Sequence, residues 1–159
     1  MTWRRTSSAS RVTLPSKADR TQRRERAYVA LGSNLGDRAA HLRTAREALA
    51  SLPDTDLLGE SAIEETAPLG GMQQPPYLNQ MVLLETALEP RALLQACQAI
   101  ERREGRERTE HWGPRTLDLD IVQFGSRRVT ETDLIIPHPE LSNRDFWRRE
   151  LAELSSHER

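Results

Sequence analysis

Two aspartates separated by one residue, Asp118 and Asp120, are the strongest candidates for chemistry in this sequence. Side chains in a β-strand alternate between its two faces, so both carboxylates are expected on one face and Leu119 on the other. Two carboxylates placed in this way can hold one or two hard cations such as Mg²⁺, which neutralise phosphate charge during phosphoryl transfer. The alternative is an antiparallel strand whose acidic face is simply solvated.

The segment 106–115, directly before the aspartates, is rich in arginine and contains one tryptophan, Trp112. Arginine presents a planar and permanently charged fork that matches the oxygens of a phosphate group. Next to carboxylates that can bind metal ions, such forks favour a polyphosphate site. The alternative is an exposed segment whose charges balance, because glutamates are interspersed among the arginines. The arginines of this segment are Arg106, Arg108 and Arg115.

A third candidate is the proline- and glycine-rich loop 67–76, which leads into Tyr77 and Asn79. A stiff loop that ends in an aromatic ring and an amide could hold a flat heteroaromatic ligand, with the amide binding the polar edge of the ring. The alternative places Tyr77 in the core and Asn79 at a turn or a strand edge. Farther along the chain, His138 and Arg144 could contact a phosphate, and the alternative for the histidine is a structural or exposed position.

Hydrophobic periodicity predicts strands and helices that alternate along the chain. A helix is expected to begin after Asp37, a good N-cap residue, and to end at Pro53, and another is expected to begin at Pro90. A hairpin turn is predicted at 125–126 and a closing helix at 143–154. The order β-α-β-β-α-β predicts an α+β fold with a ferredoxin-like core, in which an antiparallel sheet carries helices on one face. The predicted strands are 28–31, 57–66, 77–86, 116–124 and 134–136.

The composition is that of one globular domain without a membrane span. The chain has 159 residues, 36% of them hydrophobic, and 23 basic against 24 acidic residues. A net charge near zero gives no global argument for a nucleic-acid or membrane-surface protein. The single cysteine, Cys97, excludes an internal disulfide. It is expected on the apolar face of the second helix, where it packs into the protein core. A reducing compartment follows, so the cytoplasm is the expected location.

The first 26 residues differ from the rest, since they carry eight basic and two acidic residues and little apolar periodicity. Such a segment cannot bury enough apolar surface to offset its ordering entropy, so residues 1–26 are predicted to be a disordered basic extension. A transit peptide, a nucleic-acid-binding arm or a linker remnant are the alternatives. The folded domain is then expected to span residues 27–159.

Four separated stretches, in this order, resemble the 6-hydroxymethyl-7,8-dihydropterin pyrophosphokinase family of folate synthesis. They are YVALGSNLGDR (28–38), ETAPLGGMQQPPYLNQMVLLET (65–86), GRERTEHWGPRTLDLDI (105–121) and IPHPELSNRDF (136–146). The region that resembles the family spans roughly three-quarters of the chain. The resemblance implies that residues 27–159 form a pyrophosphokinase domain, which transfers diphosphate from ATP to the hydroxymethyl group of the pterin and releases AMP.

The same resemblance implies roles for individual residues. Asp118 and Asp120 would hold two Mg²⁺ ions, and Arg106 and Arg115 would act as catalytic residues that clamp the phosphates. The pterin would stack between two aromatic rings, with an amide and a loop reading its edge. The implied pterin-binding residues are Thr66, Pro68, Leu69, Tyr77, Asn79, Trp112 and Phe146. The implied ATP-binding residues are Gln98, Glu101, Arg106, Arg108, Trp112, Arg115, Ile121, His138 and Arg144.

Two departures from the family pattern support an alternative. His111 stands where family members often carry arginine, and the chain is short after Phe146. The alternative is therefore a degraded relative that binds nucleotide or pterin without turnover. The expected partners are ATP and the pterin, with association to neighbouring folate-pathway enzymes. A membrane and nucleic acid are not expected partners, and the protein is expected to be a monomer.

Overall fold

The structure, a computed structural model, describes residues 23–68, 73–105 and 116–156. In this part of the chain, strands and helices alternate in the order expected from the sequence. The elements are β1 (Glu25–Ser33), α1 (Arg38–Ala50), β2 (Thr55–Glu60), β3 (Glu64–Thr66), β4 (Tyr77–Thr86), α2 (Pro90–Arg103), β5 (Asp118–Phe124), β6 (Val129–Glu131), β7 (Leu134–Ile136), a 3₁₀ helix (Pro139–Ser142) and α3 (Asp145–Ser156).

The main sheet has the strand order β2-β4-β1-β5, and the short strand β3 also pairs with β4. Every pairing in it is antiparallel. Two β-α-β units therefore interlock, with β4 between β1 and β2 and with β1 between β4 and β5. This arrangement confirms the predicted α+β fold with its ferredoxin-like core. Strands β6 and β7 form a separate two-stranded hairpin.

Helices cover both faces of the sheet. Alternate residues of β1, such as Val29 and Leu31, lie in one core cluster with residues of α1 and α2. The residues between them, Tyr28 and Ala30, lie in a second cluster with Trp147 of α3. The expectation of helices on one face thus holds for α1 and α2, whereas α3 packs on the opposite face. Because β1 is buried on both faces, its sequence is a continuous apolar run rather than an alternating one.

Local signals explain the ends of the helices. The Asp37 carboxylate accepts a hydrogen bond from the backbone N–H of Ala40 at 3.1 Å, which caps α1 as predicted. Pro90 occupies the first turn of α2, where its missing N–H costs nothing. Cys97 is fully buried in the core beneath this helix, also as predicted, and burial raises the pKa of its thiol.

Three boundaries differ from the sequence-based expectation. β1 begins at Glu25, inside the segment assigned to the extension, because Glu25 pairs with Thr86 and its carboxylate accepts a hydrogen bond from Arg127 at 2.7 Å. Residues 1–22 lie outside the described residues. The strand predicted at 57–66 is divided into β2 and β3. The turn at 125–126 ends β5 without forming a hairpin, because β5 pairs with β1 and the true hairpin joins β6 to β7.

None of the described helices is long and apolar enough to cross a membrane.

Candidate active site

Asp118 and Asp120 lie on one face of β5, as the strand alternation predicts. Across the neighbouring strand β1, Asp118 is opposite Gly32 and Asp120 is opposite Ala30. Ala30 belongs to the core cluster beneath α3, whereas Leu119 belongs to the cluster beneath α1 and α2. The two carboxylates therefore point to the α3 side of the sheet. The Asp120 side chain is 38% exposed, so it is partly shielded and still reachable by a ligand.

Glu101 supports the same strand from the opposite side. It is buried at the end of α2, and its Oε2 accepts a hydrogen bond from the backbone N–H of Leu119 at 3.3 Å. This N–H lies between the two aspartates, so Glu101 fixes the backbone that carries them. Burial, and then the charges of Glu101 and Asp120, raise the pKa of Cys97. Gln98 lies one turn earlier on α2 and is half-buried.

His138 faces Asp120 from the segment that follows β7. Its Nδ1 accepts a hydrogen bond from the backbone N–H of Glu140 at 3.1 Å, which caps the 3₁₀ helix. In the neutral ring the proton then lies on Nε2, since one imidazole nitrogen accepts while the other donates. Nε2 is 3.6 Å from Oδ1 of Asp120. The hydrogen bond from the Glu140 backbone therefore orients the Nε2 donor of His138 toward Asp120, the candidate metal ligand.

Trp147 is a site residue that sequence reasoning missed. Its buried ring meets the His138 ring edge-on, with centroids 4.9 Å apart, and the Arg144 guanidinium lies over it at 4.4 Å. One aromatic side chain thus positions two predicted ligand-binding residues. Nε of Arg144 is buried and has no hydrogen-bond partner among the described residues. A tryptophan within an otherwise charged helix, three residues after an arginine, was the available signal.

A cavity of about 250 Å³ opens beside Asp120. Three of the predicted site residues, Asp120, Ile121 and His138, line it. The rest of its wall comes from the β6–β7 hairpin, α2, β5 and the 3₁₀ helix, through residues that the sequence analysis did not assign to a site. These additional lining residues are Leu94, Leu119, Thr132, Asp133, Leu134, Ile135 and Pro139. They were missed because short apolar and turn residues carry no chemical signature of their own.

A second cluster lies next to Asp118, in the row of paired residues that runs across three strands: Asn79 on β4, Gly32 on β1 and Asp118 on β5. This set is called the Asn79 row. Gly32 of β1 is opposite Asp118 on one side and opposite Asn79 of β4 on the other. Opposed residues of antiparallel strands point to the same face, so Asn79 shares the aspartate face. Its amide nitrogen donates to Thr66 Oγ1 at 2.6 Å, which fixes the orientation of the amide. A Cβ on Gly32 would lie 3.4 Å from Oδ1 of Asn79 and 3.5 Å from the Tyr77 ring.

The loop before Tyr77 is anchored on the turn between β1 and α1. The buried Asn34 side chain donates to Gln74 Oε1 at 2.8 Å and to the Pro75 carbonyl at 3.2 Å. Arg38 donates to the Pro76 carbonyl at 2.8 Å. These bonds satisfy backbone groups of a segment that forms no strand, and they set where β4 begins.

Phe146, the second residue of α3, lies on the same side of the sheet as the aspartates. It is half-buried and packs on Trp147, with ring centroids 6.3 Å apart. Pro68 is half-buried shortly after β3. Among the predicted residues, Asp120, Ile121 and His138 thus lie together at the cavity, and Thr66, Tyr77 and Asn79 lie together beside Gly32. The predicted residues Leu69, Arg106, Arg108, Trp112 and Arg115 lie outside the described residues.

Comparison with known proteins identifies relatives over most of the chain. Residues 28–156 match the model of the family described as 7,8-dihydro-6-hydroxymethylpterin-pyrophosphokinase. The 2-amino-4-hydroxy-6-hydroxymethyldihydropteridine pyrophosphokinase of Haemophilus influenzae is 42% identical over 130 residues, which cover 82% of this chain and 81% of that protein. The protein of the same name from Bacillus subtilis is 43% identical over 128 residues, covering 80% and 77%. The bifunctional protein FolKE of Lactococcus lactis is 38% identical over 131 residues, which are 82% of this chain and 38% of that longer protein.

Proposed function

Because this chain belongs to the 7,8-dihydro-6-hydroxymethylpterin-pyrophosphokinase family and is an ATP-dependent pyrophosphokinase of folate biosynthesis, we propose how its residues perform the transfer. Diphosphate passes from ATP to the hydroxymethyl group of 6-hydroxymethyl-7,8-dihydropterin, and AMP is released. The observation that carries this proposal is the position of Asp118 and Asp120. They lie on one face of β5, with the cavity beside Asp120 and the Asn79 row beside Asp118. In that row, the Asn79 amide is oriented by its hydrogen bond to Thr66.

The cavity beside Asp120 accommodates the nucleoside part of ATP in this proposal. Ile121 supplies an apolar wall, and His138 aims its Nε2 donor toward the point where a phosphate chain would begin. Arg144, held over Trp147, provides a guanidinium whose Nε still lacks a partner among the described residues. Gln98 and Glu101 complete this side of the site, and Arg106, Arg108 and Arg115 clamp the phosphates, as the family resemblance implies.

The pterin occupies the row that Asn79 and Gly32 form with Asp118. The Asn79 amide donates one N–H to Thr66 and has no other side-chain hydrogen bond among the described residues, so its second N–H and its carbonyl lone pairs would bind the polar edge of the ring. Tyr77 and Phe146 provide aromatic faces. Pro68, Leu69 and Trp112 close the ring site by the same family pattern. This placement points the hydroxymethyl group toward the aspartates.

The carboxylate pair fits Mg²⁺. Hard cations prefer oxygen ligands, and Mg²⁺ in nucleotide sites is held by one or two carboxylates, waters and substrate phosphates. The described residues contain no group of three or more His, Cys, Asp or Glu side chains that could hold a metal ion alone. Asp118 and Asp120 are the residues that would hold the two ions in this proposal. When bound, Mg²⁺ would neutralise the phosphate charge that opposes the incoming hydroxyl.

The transfer itself is an in-line displacement at the β-phosphorus. The pterin hydroxyl oxygen forms a bond to this phosphorus and releases its proton to solvent, while the bond to the oxygen shared with the α-phosphate breaks, so AMP leaves and no covalent enzyme intermediate forms. The protein contributes by positioning the two substrates and by excluding water. We place the reaction in the cytoplasm and treat the protein as a monomer. The fused Lactococcus lactis relative supports association with another folate-pathway enzyme.

Gly32→Val is expected to raise the KM for the pterin about ten- to hundredfold while leaving the KM for ATP within about twofold. The larger side chain would displace Asn79 and the Tyr77 ring, which lie within contact distance of a Cβ at this position. Steady-state kinetics with each substrate varied in turn checks this result. Gly32→Ala is the matched control, since its Cβ contacts of 3.4 and 3.5 Å require little adjustment. An equal rise in the KM for the pterin and the KM for ATP would contradict the proposal that the pterin binds beside Gly32 and Asn79.

The proposed function is tested by measuring AMP formation from ATP, Mg²⁺ and 6-hydroxymethyl-7,8-dihydropterin, with the pterin omitted as the control. AMP that forms only with the pterin supports the transfer. A folded protein that binds ATP but releases no AMP would instead support the degraded relative that binds without turnover.

A further inference from the structure

The outer wall of the nucleotide cavity is the β6–β7 hairpin, which stands apart from the main sheet. Its two strands are three residues long and pair with each other. Leu134 and Ile136 of β7 are buried in the core and hold this strand along its length. The turn residues Thr132 and Asp133 are exposed, and both line the cavity. A two-stranded hairpin of this length is only marginally stable alone, so the exposed turn gains from an anchor outside the hairpin.

Arg91, the second residue of α2, supplies that anchor. Its NH1 donates to Oδ2 of Asp133 at 2.8 Å and its NH2 donates to Oδ1 at 2.9 Å, which is a bidentate pair. NH2 also contacts the carboxylate of Glu131. The guanidinium holds the pKa of the Asp133 carboxyl below its usual value. Leu94, three residues after Arg91 on the same helix, lines the opposite wall of the cavity.

We propose that Arg91 is a positioning residue for the nucleotide, because its fork ties the hairpin wall of the cavity to α2 and thereby fixes the width of the site. The inference rests on the proposed function, in which this cavity binds the nucleoside part of ATP. Isolated exposed ion pairs contribute little, but bidentate arginine pairs within a cluster of charges are the exception. Arg91 does not line the cavity, so it acts through Asp133 and takes no part in the transfer.

A second explanation makes a different prediction. Glu131 and Asp133 are two carboxylates near the mouth of a cavity that must accept a polyanion, so Arg91 could serve only to neutralise them. Neutralisation would affect ATP and leave the uncharged nucleoside unaffected. Positioning would affect ATP and adenosine equally, because both need the same wall.

The experiment is therefore a titration of the wild-type protein and of Arg91→Ala with α,β-methylene-ATP and with adenosine, followed by NMR, together with steady-state kinetics. Arg91→Ala is expected to raise the Kd of both ligands about five- to tenfold, the equivalent of about 1 kcal/mol. The KM for ATP is expected to rise by the same factor. The kcat and the KM for the pterin stay within about twofold. Arg91→Lys, which keeps the charge and loses the fork, is expected to show an intermediate loss.

Arg127→Ala is the matched control. Arg127 also holds two carboxylates, those of Glu25 and Glu89, but neither of these lines the cavity, whereas Asp133 does. Equal effects of the two alanine variants would overturn the inference, and so would a loss confined to α,β-methylene-ATP. Failure of the proposed function would look different, since the wild-type protein itself would then release no AMP in the presence of the pterin, whatever the two variants bind.

Discussion

Asp120→Asn is expected to lower kcat for pterin-dependent AMP formation by at least about 1000-fold, with the folded structure and Tm retained. Metal-assisted charge neutralisation contributes several kcal/mol to such transfers, and each 1.36 kcal/mol corresponds to a factor of ten in rate. The variant keeps the shape of the side chain and removes the negative charge that a hard cation requires. Asp118→Asn is expected to behave in the same way, because both carboxylates share one face of β5.

The measurement is single-turnover AMP formation over a range of Mg²⁺ concentrations, with Mg²⁺-dependent ATP binding as a second readout. Asp56→Asn is the matched control, since Asp56 also lies on a strand of the sheet, is exposed, and lines neither the cavity nor the Asn79 row. Rates close to those of the wild type at ordinary Mg²⁺ concentrations would disprove the metal assignment. A rate restored by excess Mg²⁺ would support it.

Glu150→Gln is expected to remove most of the pH dependence of stability between pH 5 and pH 8. Glu150 lies on α3 and is only 3% exposed. Burial, and then the charge of Glu64 on β3, raise the pKa of Glu150 to about 8. The nearby Glu153 acts in the same direction, and Arg149 opposes it.

The sign of the effect follows from proton binding. Between the unfolded pKa of 4.5 and the folded pKa of about 8, the folded protein binds more protons than the unfolded chain. The free energy of unfolding therefore falls as pH rises through this window, by up to roughly 1.4 kcal/mol per pH unit, and levels off above it. Urea denaturation at pH 5, 7 and 9 measures this slope. Glu47→Gln on the exposed side of α1 is the control, and an unchanged slope in Glu150→Gln would refute the assignment.

Local periodicity was sufficient wherever a feature depends on a short segment. The common face of Asp118 and Asp120 follows from strand alternation, and β4 has the bounds that its sequence predicts, 77–86. The start of α2 at Pro90 is likewise a local property. Features that depend on pairing between distant segments were not accessible in this way. The division between β2 and β3 and the separate hairpin are decided by which strand each segment pairs with.

The environment of α3 illustrates the same limit for side chains. Trp147, Glu150 and Leu154 recur at helical spacing and form the buried stripe of this helix. A glutamate at the centre of such a stripe was a visible signal of an unusual environment. The sequence alone could not identify its neighbour, because Glu64 comes from a strand that precedes α3 by more than half of the domain. In the same way, the role of Trp147 required knowing that His138 and Arg144 approach it.

The row of Asn79, Gly32 and Asp118 also bears on synthesis of the protein. Its three residues come from β4, β1 and β5, so the order across the sheet differs from the order along the chain. Contacts between segments far apart in sequence form only after the entropy of closing long loops has been overcome. A nascent chain that ends before β5 contains both Gly32 and Asn79 and still lacks the carboxylates. If the proposed site is correct, substrates can stabilise the domain only after β5 has joined β1 and after the later segment with His138, Arg144 and Phe146 has also folded.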